Sequence, residues 1–265
     1  MSTYAEARPA STTLRAMLNK VPEITVFFWI IKVLATTVGE TAADYLSTTL
    51  HLGLTFTSWV MGALFLAALV AQLNARRYSP PLYWTVVVLI SIVGTLISDN
   101  LTDNLGVPLM VTTIAFASIL TAVFTAWWLT ERTLSIHSIR TRRRELFYWG
   151  AILFTFALGT SAGDWLAAAS GIGFAASALV FAGMIALVVF SRYTLKLNGV
   201  LAFWLAYILT RPLGASIGDL LSQRVHDGGL GIGTTATSAV FLITILALVV
   251  YLTVTRKDRI DYALE

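Results

Sequence analysis

Long apolar runs, separated by short stretches rich in glycine, proline or charged residues, divide the chain into eight segments. Most runs exceed the roughly 20 residues that an α-helix needs to cross the hydrocarbon core of a bilayer. They do not alternate apolar and polar positions as the strands of a membrane barrel do. The pattern therefore predicts an all-α membrane protein with eight transmembrane helices, at about residues 24–46, 54–75, 82–104, 108–130, 146–168, 172–194, 199–222 and 233–255.

A motif of tryptophan, glycine and aspartate, W-x9-G-x4-D, occurs four times, always on the first helix of a predicted pair. Its tryptophans lie 55, 65 and 55 residues apart. The chain is therefore predicted to consist of four tandem two-helix repeats, and an even number of spans in each repeat gives all four copies the same membrane orientation. The copies are Trp29–Gly39–Asp44, Trp84–Gly94–Asp99, Trp149–Gly159–Asp164 and Trp204–Gly214–Asp219.

The repeats define the domain organisation. We expect a cytoplasmic tail over residues 1–21, one integral membrane domain over 22–256 and a second cytoplasmic tail over 257–265. Within the membrane domain, the repeats are expected at about residues 22–80, 81–135, 146–198 and 199–256.

Composition agrees with a membrane protein and excludes several kinds of chemistry. Hydrophobic residues make up 57% and charged residues 12% of the chain, whereas soluble domains carry about 25% charged residues. The absence of cysteine excludes disulfides and thiolate metal ligands. The three histidines lie in separate loops, and no nucleophile triad, phosphate-binding loop or cofactor motif is present. We therefore expect no enzymatic activity and no cofactor.

The basic residues predict the orientation. Only Arg224 lies in a loop on the opposite side, so the positive-inside rule places both termini in the cytoplasm. This asymmetry also explains the positive net charge without a nucleic-acid partner. The run Arg140–Arg144 is also able to bind anionic lipid headgroups or a protein partner. Fifteen of the 18 lysines and arginines lie on the cytoplasmic side: Arg8, Arg15, Lys20, Arg76, Arg77, Arg132, Arg140, Arg142, Arg143, Arg144, Arg192, Lys196, Arg256, Lys257 and Arg259.

The fourfold motif, with segments such as Gly94–Thr102 (GTLISDNLT) and Leu209–Asp219 (LTRPLGASIGD), resembles a family of bacterial multi-span proteins. These "membrane-anchored proteins" consist of four tandem two-helix repeats of unknown function, each with a characteristic tryptophan. The resemblance covers about residues 22–256. It implies the eight-span architecture and a location in the bacterial inner membrane, and it implies no activity.

The four aspartates are the strongest candidates for function. From a helix start near Tyr83, Asp99 lies about 24 Å along the axis, near the outer boundary of a core about 30 Å thick. An intramembrane carboxylate at this depth is costly unless it faces protein, water or a cation. Two motif copies add a second acid one turn away, Glu40 beside Asp44 and Asp103 beside Asp99. Such a set of oxygen ligands suits a cation, although hydrogen-bonded helix caps would also explain the aspartates.

Two basic residues interrupt the predicted spans. Lys32 follows Trp29 by three residues and Arg211 follows Trp204 by seven, so both lie on one stripe of equivalent helices. We expect them to pair with some of the acids, either as fixed ion pairs or as pairs that change during transport. Pro212 is expected to kink its helix and free a backbone carbonyl.

The other motif residues have structural explanations. Gly39, Gly94, Gly159 and Gly214 each precede a small residue by four positions, a spacing that allows close helix packing in membranes. Trp29, Trp84, Trp149 and Trp204 are predicted to anchor the helices at the cytoplasmic interface.

These observations lead to two functional hypotheses. The first is a transporter or channel for a small cation, either a metal ion or a proton-coupled substrate, in which the aspartates surround a central axis. The second is a membrane scaffold or sensor with structural aspartates and a basic docking loop. In both, the lipid bilayer is the surrounding partner, and a homo-oligomer is compatible with the sequence.

Overall fold

A computed structural model describes residues 20–169 and 171–258, and most of the predicted tails lies outside them. Within these residues the chain is all-α and contains no strand. Eight helices are long and apolar enough to span a membrane, which confirms the predicted fold class. The helices are α1 (Val26–Asp44), α2 (Leu54–Asn74), α3 (Pro80–Asp99), α4 (Leu109–Glu131), α5 (Arg142–Ala169), α6 (Gly173–Thr194), α7 (Gly199–Ser222) and α8 (Thr234–Thr255).

The boundaries differ from the sequence prediction at particular helix ends. Helix α5 begins at Arg142, so part of the basic run forms its first turn. Helices α1 and α3 continue beyond their motif aspartates as π-helical turns over Tyr45–Thr49 and Asn100–Asn104. Helix α7 is continuous through Pro212.

The helices form an inner and an outer set. In α1, α3, α5 and α7, 61–67% of the most apolar stretch is buried, against 11–28% in α2, α4, α6 and α8. The four inner helices are the ones that carry the W-x9-G-x4-D motif. They pack in a closed ring, with α1 against α3, α3 against α5, α5 against α7 and α7 against α1.

Each outer helix packs chiefly against the inner helix of the following repeat. Helix α2 lies on α3, α4 on α5, α6 on α7, and α8 returns to α1. The two helices of one repeat therefore diverge after their turn, so the hairpin is a unit of sequence and not a unit of packing. This arrangement joins the last repeat to the first and completes the ring.

The inner helices approach each other closely at the motif glycines. A side chain from the next helix lies where a Cβ would be at each of the four, so none accepts a larger residue without a shift. The contacting residue always lies three positions before the glycine of the next repeat. The four contacts are Ser91 on Gly39, Phe156 on Gly94, Arg211 on Gly159 and Thr36 on Gly214.

Candidate cation site

The four motif aspartates converge on one cavity. It has a volume of about 400 Å³ and lies within the inner ring at the end opposite the chain termini. Each aspartate follows its glycine by five residues, so the closed ring brings all four to the same level. Asp103 and Asp227 are exposed at its rim. The acidic residues that line the cavity are Glu40, Asp44, Asp99, Asp103, Asp164, Asp219 and Asp227.

Three of these acids form a compact group, which we call the acidic triad: Glu40, Asp164 and Asp219. One carboxylate oxygen of each lies within 4.8 Å of the other two. Oxygens on opposite sides of one bound calcium ion are about 4.6–5.2 Å apart, given Ca–O distances of about 2.3–2.6 Å. The triad is therefore spaced so that small side-chain movements would bring all three oxygens to one cation. Glu40 and Asp219 are buried, and Asp164 is half-buried.

The aspartates have few protein hydrogen bonds. Asp44 accepts one from Gln223 Nε2 at 3.3 Å. Asp99 and Asp164 accept no side-chain hydrogen bond from the residues that the structure describes. A helix-capping role would require such donors, so the geometry gives little support to the structural explanation for these two.

Arg211 lies behind the cavity lining and contacts it through Glu40. Its side chain is fully buried, and Nη2 donates to Glu40 Oε2 at 3.1 Å and to Thr160 Oγ1 at 2.7 Å. The same nitrogen also contacts Thr95 Oγ1. The three side chains that bind the guanidinium occupy equivalent positions, because each directly follows a motif glycine. They are Glu40, Thr95 and Thr160, and they lie at one level of the inner ring. In the fourth repeat the residue directly after the motif glycine is Ala215, and Arg211 comes one turn earlier in the same helix.

Backbone carbonyls complete the binding of Arg211. Nη1 donates to Thr36 O at 2.5 Å and Nε to Phe156 O at 3.4 Å. The predicted pairing of Arg211 with an intramembrane acid is thus present, and its partner is Glu40.

Lys32 does not pair with an acid in the described part of the chain, contrary to the prediction. It is fully buried, and its Nζ lies 4.3 Å from the ring centroids of both Phe156 and Tyr207. The Nζ nitrogen has no hydrogen-bond partner among the described residues. It lies over two aromatic ring faces and is one turn further along its helix from the acids than Arg211 is.

A closed belt of aromatic rings lies near the end of the ring that carries the termini, and we call it the aromatic ring. A phenylalanine or tyrosine directly precedes every motif tryptophan, a signal in the sequence that the motif as written leaves out. Each such residue packs against the tryptophan of the next repeat. The contacts are Phe28–Trp84 at 5.6 Å, Tyr83–Trp149 at 5.5 Å, Tyr148–Trp204 at 6.2 Å and Phe203–Trp29 at 5.7 Å between centroids.

This placement changes the role of the tryptophans. Trp84 and Trp149 are 2% exposed and Trp204 is 4% exposed, and Trp29 is half-buried. The three buried rings pack against neighbouring inner helices, whereas the sequence predicted that all four tryptophans anchor the helices at the cytoplasmic interface. The hydroxyls of Tyr83 and Tyr148, on the neighbouring helices α3 and α5, also form a hydrogen bond of 2.5 Å.

Polar contacts tie the peripheral segments to the bundle below the aromatic ring. Lys20 Nζ lies 2.7 Å from the buried Glu145 carboxylate. Tyr78 OH donates to Asp258 Oδ2 at 2.5 Å. Burial and the neighbouring Asp258 carboxylate raise the pKa of Tyr78 above its usual range. Sequence reasoning missed these pairs because their members are separated by 125 and 180 residues.

The basic run is partly engaged within the protein. Arg144 Nε lies 2.7 Å from Glu131 Oε2, and Arg143 Nε lies 3.5 Å from Glu131 Oε1. Arg140, Arg142 and Arg143 remain exposed. These contacts help to fix the start of α5 against the end of α4.

Eight membrane-length helices in four equivalent repeats, arranged around a cavity lined with acids, define a multi-pass membrane repeat protein. The chain belongs to the family described as Repeat of Unknown Function (DUF347). The family model matches four times, at residues 27–78, 82–133, 147–197 and 202–258, which confirms the resemblance found from the motif. No curated protein and no solved structure gives a match to the chain.

Proposed function

We propose that the protein is a membrane transporter for a small cation, which binds in the acidic cavity, and that it has no enzymatic activity. The observation that carries the proposal is the convergence of the four motif aspartates and Glu40 on one cavity within the membrane domain. Separate positions at the four repeats would have favoured local structural roles. Their shared position concentrates negative charge where a cation is able to bind it.

The donor set favours a hard divalent metal ion. Carboxylate oxygens are the ligands that magnesium, calcium and manganese prefer, and no histidine lines the cavity among the residues that the structure describes. Arg211 balances the charge of Glu40, so Asp164 and Asp219 supply the two remaining charges of the acidic triad. One divalent ion would neutralise them. The volume of about 400 Å³ leaves room for water molecules in the coordination sphere.

The side chains that fill the inner ring of helices below the cavity favour a transporter over an open channel. Arg211, Lys32 and all members of the aromatic ring except the half-buried Trp29 lie buried between the cavity and the end that carries the termini. With the orientation expected from the basic residues, the cavity faces away from the cytoplasm of a bacterial inner membrane. The present conformation then corresponds to an outward-facing state, and transport requires the lower layers to open.

The scaffold hypothesis has less support. It requires structural aspartates and a free basic loop, whereas Asp99 and Asp164 lack protein donors in the described part of the chain. Arg144 is also engaged by Glu131.

Uptake of Mn²⁺ into proteoliposomes tests the proposal, with quenching of an internal metal-sensitive dye as the readout. Asp164→Asn and Asp219→Asn remove one charged ligand each, and we expect uptake to fall at least about tenfold. Asp227→Asn, at the exposed rim of the same cavity, is the matched control and should retain most of the uptake. Wild-type uptake by Asp44→Asn, Asp99→Asn, Asp164→Asn and Asp219→Asn alike would refute the proposal.

A further inference from the structure

Arg211 occupies a position at which two of the other three repeats have a small hydroxyl residue. Three residues before the motif glycine, the first and second repeats have Thr36 and Ser91, and the third has Phe156. In each repeat this residue packs on the glycine of the preceding inner helix. Arg211 makes the same contact with Gly159 through its Cβ and Cγ atoms. The aliphatic part of its side chain is therefore sufficient for helix packing, and the guanidinium group has a separate role.

The guanidinium extends along the axis to the base of the acidic triad. The hydroxyls of Thr95 and Thr160 bind it from two sides, and the Glu40 carboxylate binds it from a third. It is thus a buried cation that contacts the acidic cavity through one lining residue, Glu40.

Glu40 belongs both to the Arg211 pair and to the acidic triad. Its contacts with Arg211 and Thr95 both use Oε2. In the acidic triad, one Glu40 oxygen lies within 4.8 Å of oxygens from Asp164 and Asp219. A metal ion in the triad would therefore share this carboxylate with Arg211. The two positive charges would repel each other across one side chain.

We propose that Arg211 is a tethered cation that competes with the transported ion for Glu40. In the empty site the guanidinium neutralises Glu40, and an incoming divalent ion weakens that pair as it binds. Arg211 thereby limits the affinity of the site and couples its occupancy to the layer below. This inference rests on the proposed function, because it specifies how the same cavity is regulated.

The test is the affinity for Mn²⁺ of the purified full-length protein, measured by isothermal titration calorimetry. Arg211→Thr introduces the residue that the first repeat has at this position, so it retains a packing group on Gly159 and removes the charge. We expect Mn²⁺ to bind at least about tenfold more tightly than to the wild type. Arg211→Lys keeps the charge and should bind within about threefold of the wild type.

A merely structural arginine makes the opposite prediction, since its loss would loosen the site and weaken binding. Equal or weaker Mn²⁺ affinity in Arg211→Thr, with binding intact in the wild type, overturns this inference and leaves the proposed function standing. Absence of Mn²⁺ binding in the wild type and in both Arg211 variants overturns the proposed function itself.

A second pair of variants also compares Mn²⁺ affinity with and without Arg211, but in a protein that has no Glu40 carboxylate to leave unpaired. Glu40→Gln keeps an oxygen that accepts from Arg211, and Glu40→Gln/Arg211→Thr removes the guanidinium in that neutral background. Tighter Mn²⁺ binding by the double variant than by the single variant supports the tethered cation. Equal or weaker binding by the double variant contradicts it, even when Arg211→Thr alone fails to fold.

Discussion

The glycine contacts of the inner ring make a quantitative prediction at Gly94. A Cβ at this position would lie 2.6 Å from the Cβ of Phe156 and 3.2 Å from the backbone nitrogen of Ala157. Carbon atoms in favourable contact are about 3.5–4.0 Å apart, so the two groups must separate by about 1 Å. Because both contacting atoms are fixed to the backbone of α5, a side-chain rotation does not relieve the overlap. Gly94→Ala therefore forces α3 and α5 apart.

The energetic cost should exceed the gain from a better helix former. Overpacking of this kind costs about 1–3 kcal/mol, and replacing glycine by alanine inside a helix contributes up to about 1 kcal/mol in the opposite direction. We expect a net loss of about 1–2 kcal/mol in the free energy of unfolding. Since the inner helices form a closed ring, the displacement also reaches the level of the acidic cavity, so Mn²⁺ affinity should decrease.

Gly183→Ala in α6 is the matched control, because no atom of a neighbouring described residue lies within 4 Å of the position that its Cβ would take. Unfolding in detergent is measurable through the fluorescence of the eight tryptophans. The control should be at least as stable as the wild type. Equal stability of Gly94→Ala and Gly183→Ala would refute close packing at the motif glycines as a determinant of the ring.

Two further predictions concern the end of the bundle that carries the termini. Lys20→Met leaves the Glu145 carboxylate, which is 1% exposed, without its cation and should lower the free energy of unfolding by about 3 kcal/mol. The double variant Lys20→Met/Glu145→Gln should recover most of this loss in chemical unfolding. No recovery would argue against the ion pair. Burial and Asp258 raise the pKa of Tyr78, so its contribution to stability is complete below about pH 10 and declines as the unfolded chain ionises at higher pH. Tyr78→Phe should flatten that alkaline decline, and an unchanged pH profile of thermal unfolding would contradict the assignment.

Part of the candidate site was predictable because the repeats place equivalent residues at equal depth. Asp44, Asp99, Asp164 and Asp219 have the same position relative to their glycines, so helical rise alone predicts one level in the membrane. The sequence also predicts that Glu40 lies one turn from this level. It does not predict which face of each helix points inward, and therefore leaves a shared cavity and four separate caps equally open.

The contrast between Lys32 and Arg211 shows where local reasoning stops. Both lie on the same stripe of equivalent helices, and the sequence predicts an acidic partner for each. In the structure Arg211 reaches Glu40, a residue of another repeat. Lys32 is one turn further from the acids and is enclosed by aromatic rings. Side chains from other repeats decide the outcome in both cases.

The sequence by itself determined the eight helices, the four repeats and the depth of each motif residue, because length, hydropathy and helical period are local properties of the chain. Only the tertiary structure decided that the inner helices close into a ring, that each outer helix packs on the next repeat, and that the acids share one cavity. The physical reason is that the rotation of a helix about its axis, and the choice of its neighbours, depend on packing between residues far apart in the chain. Four copies of one motif specify the level of the charges, and the closed ring brings those charges together.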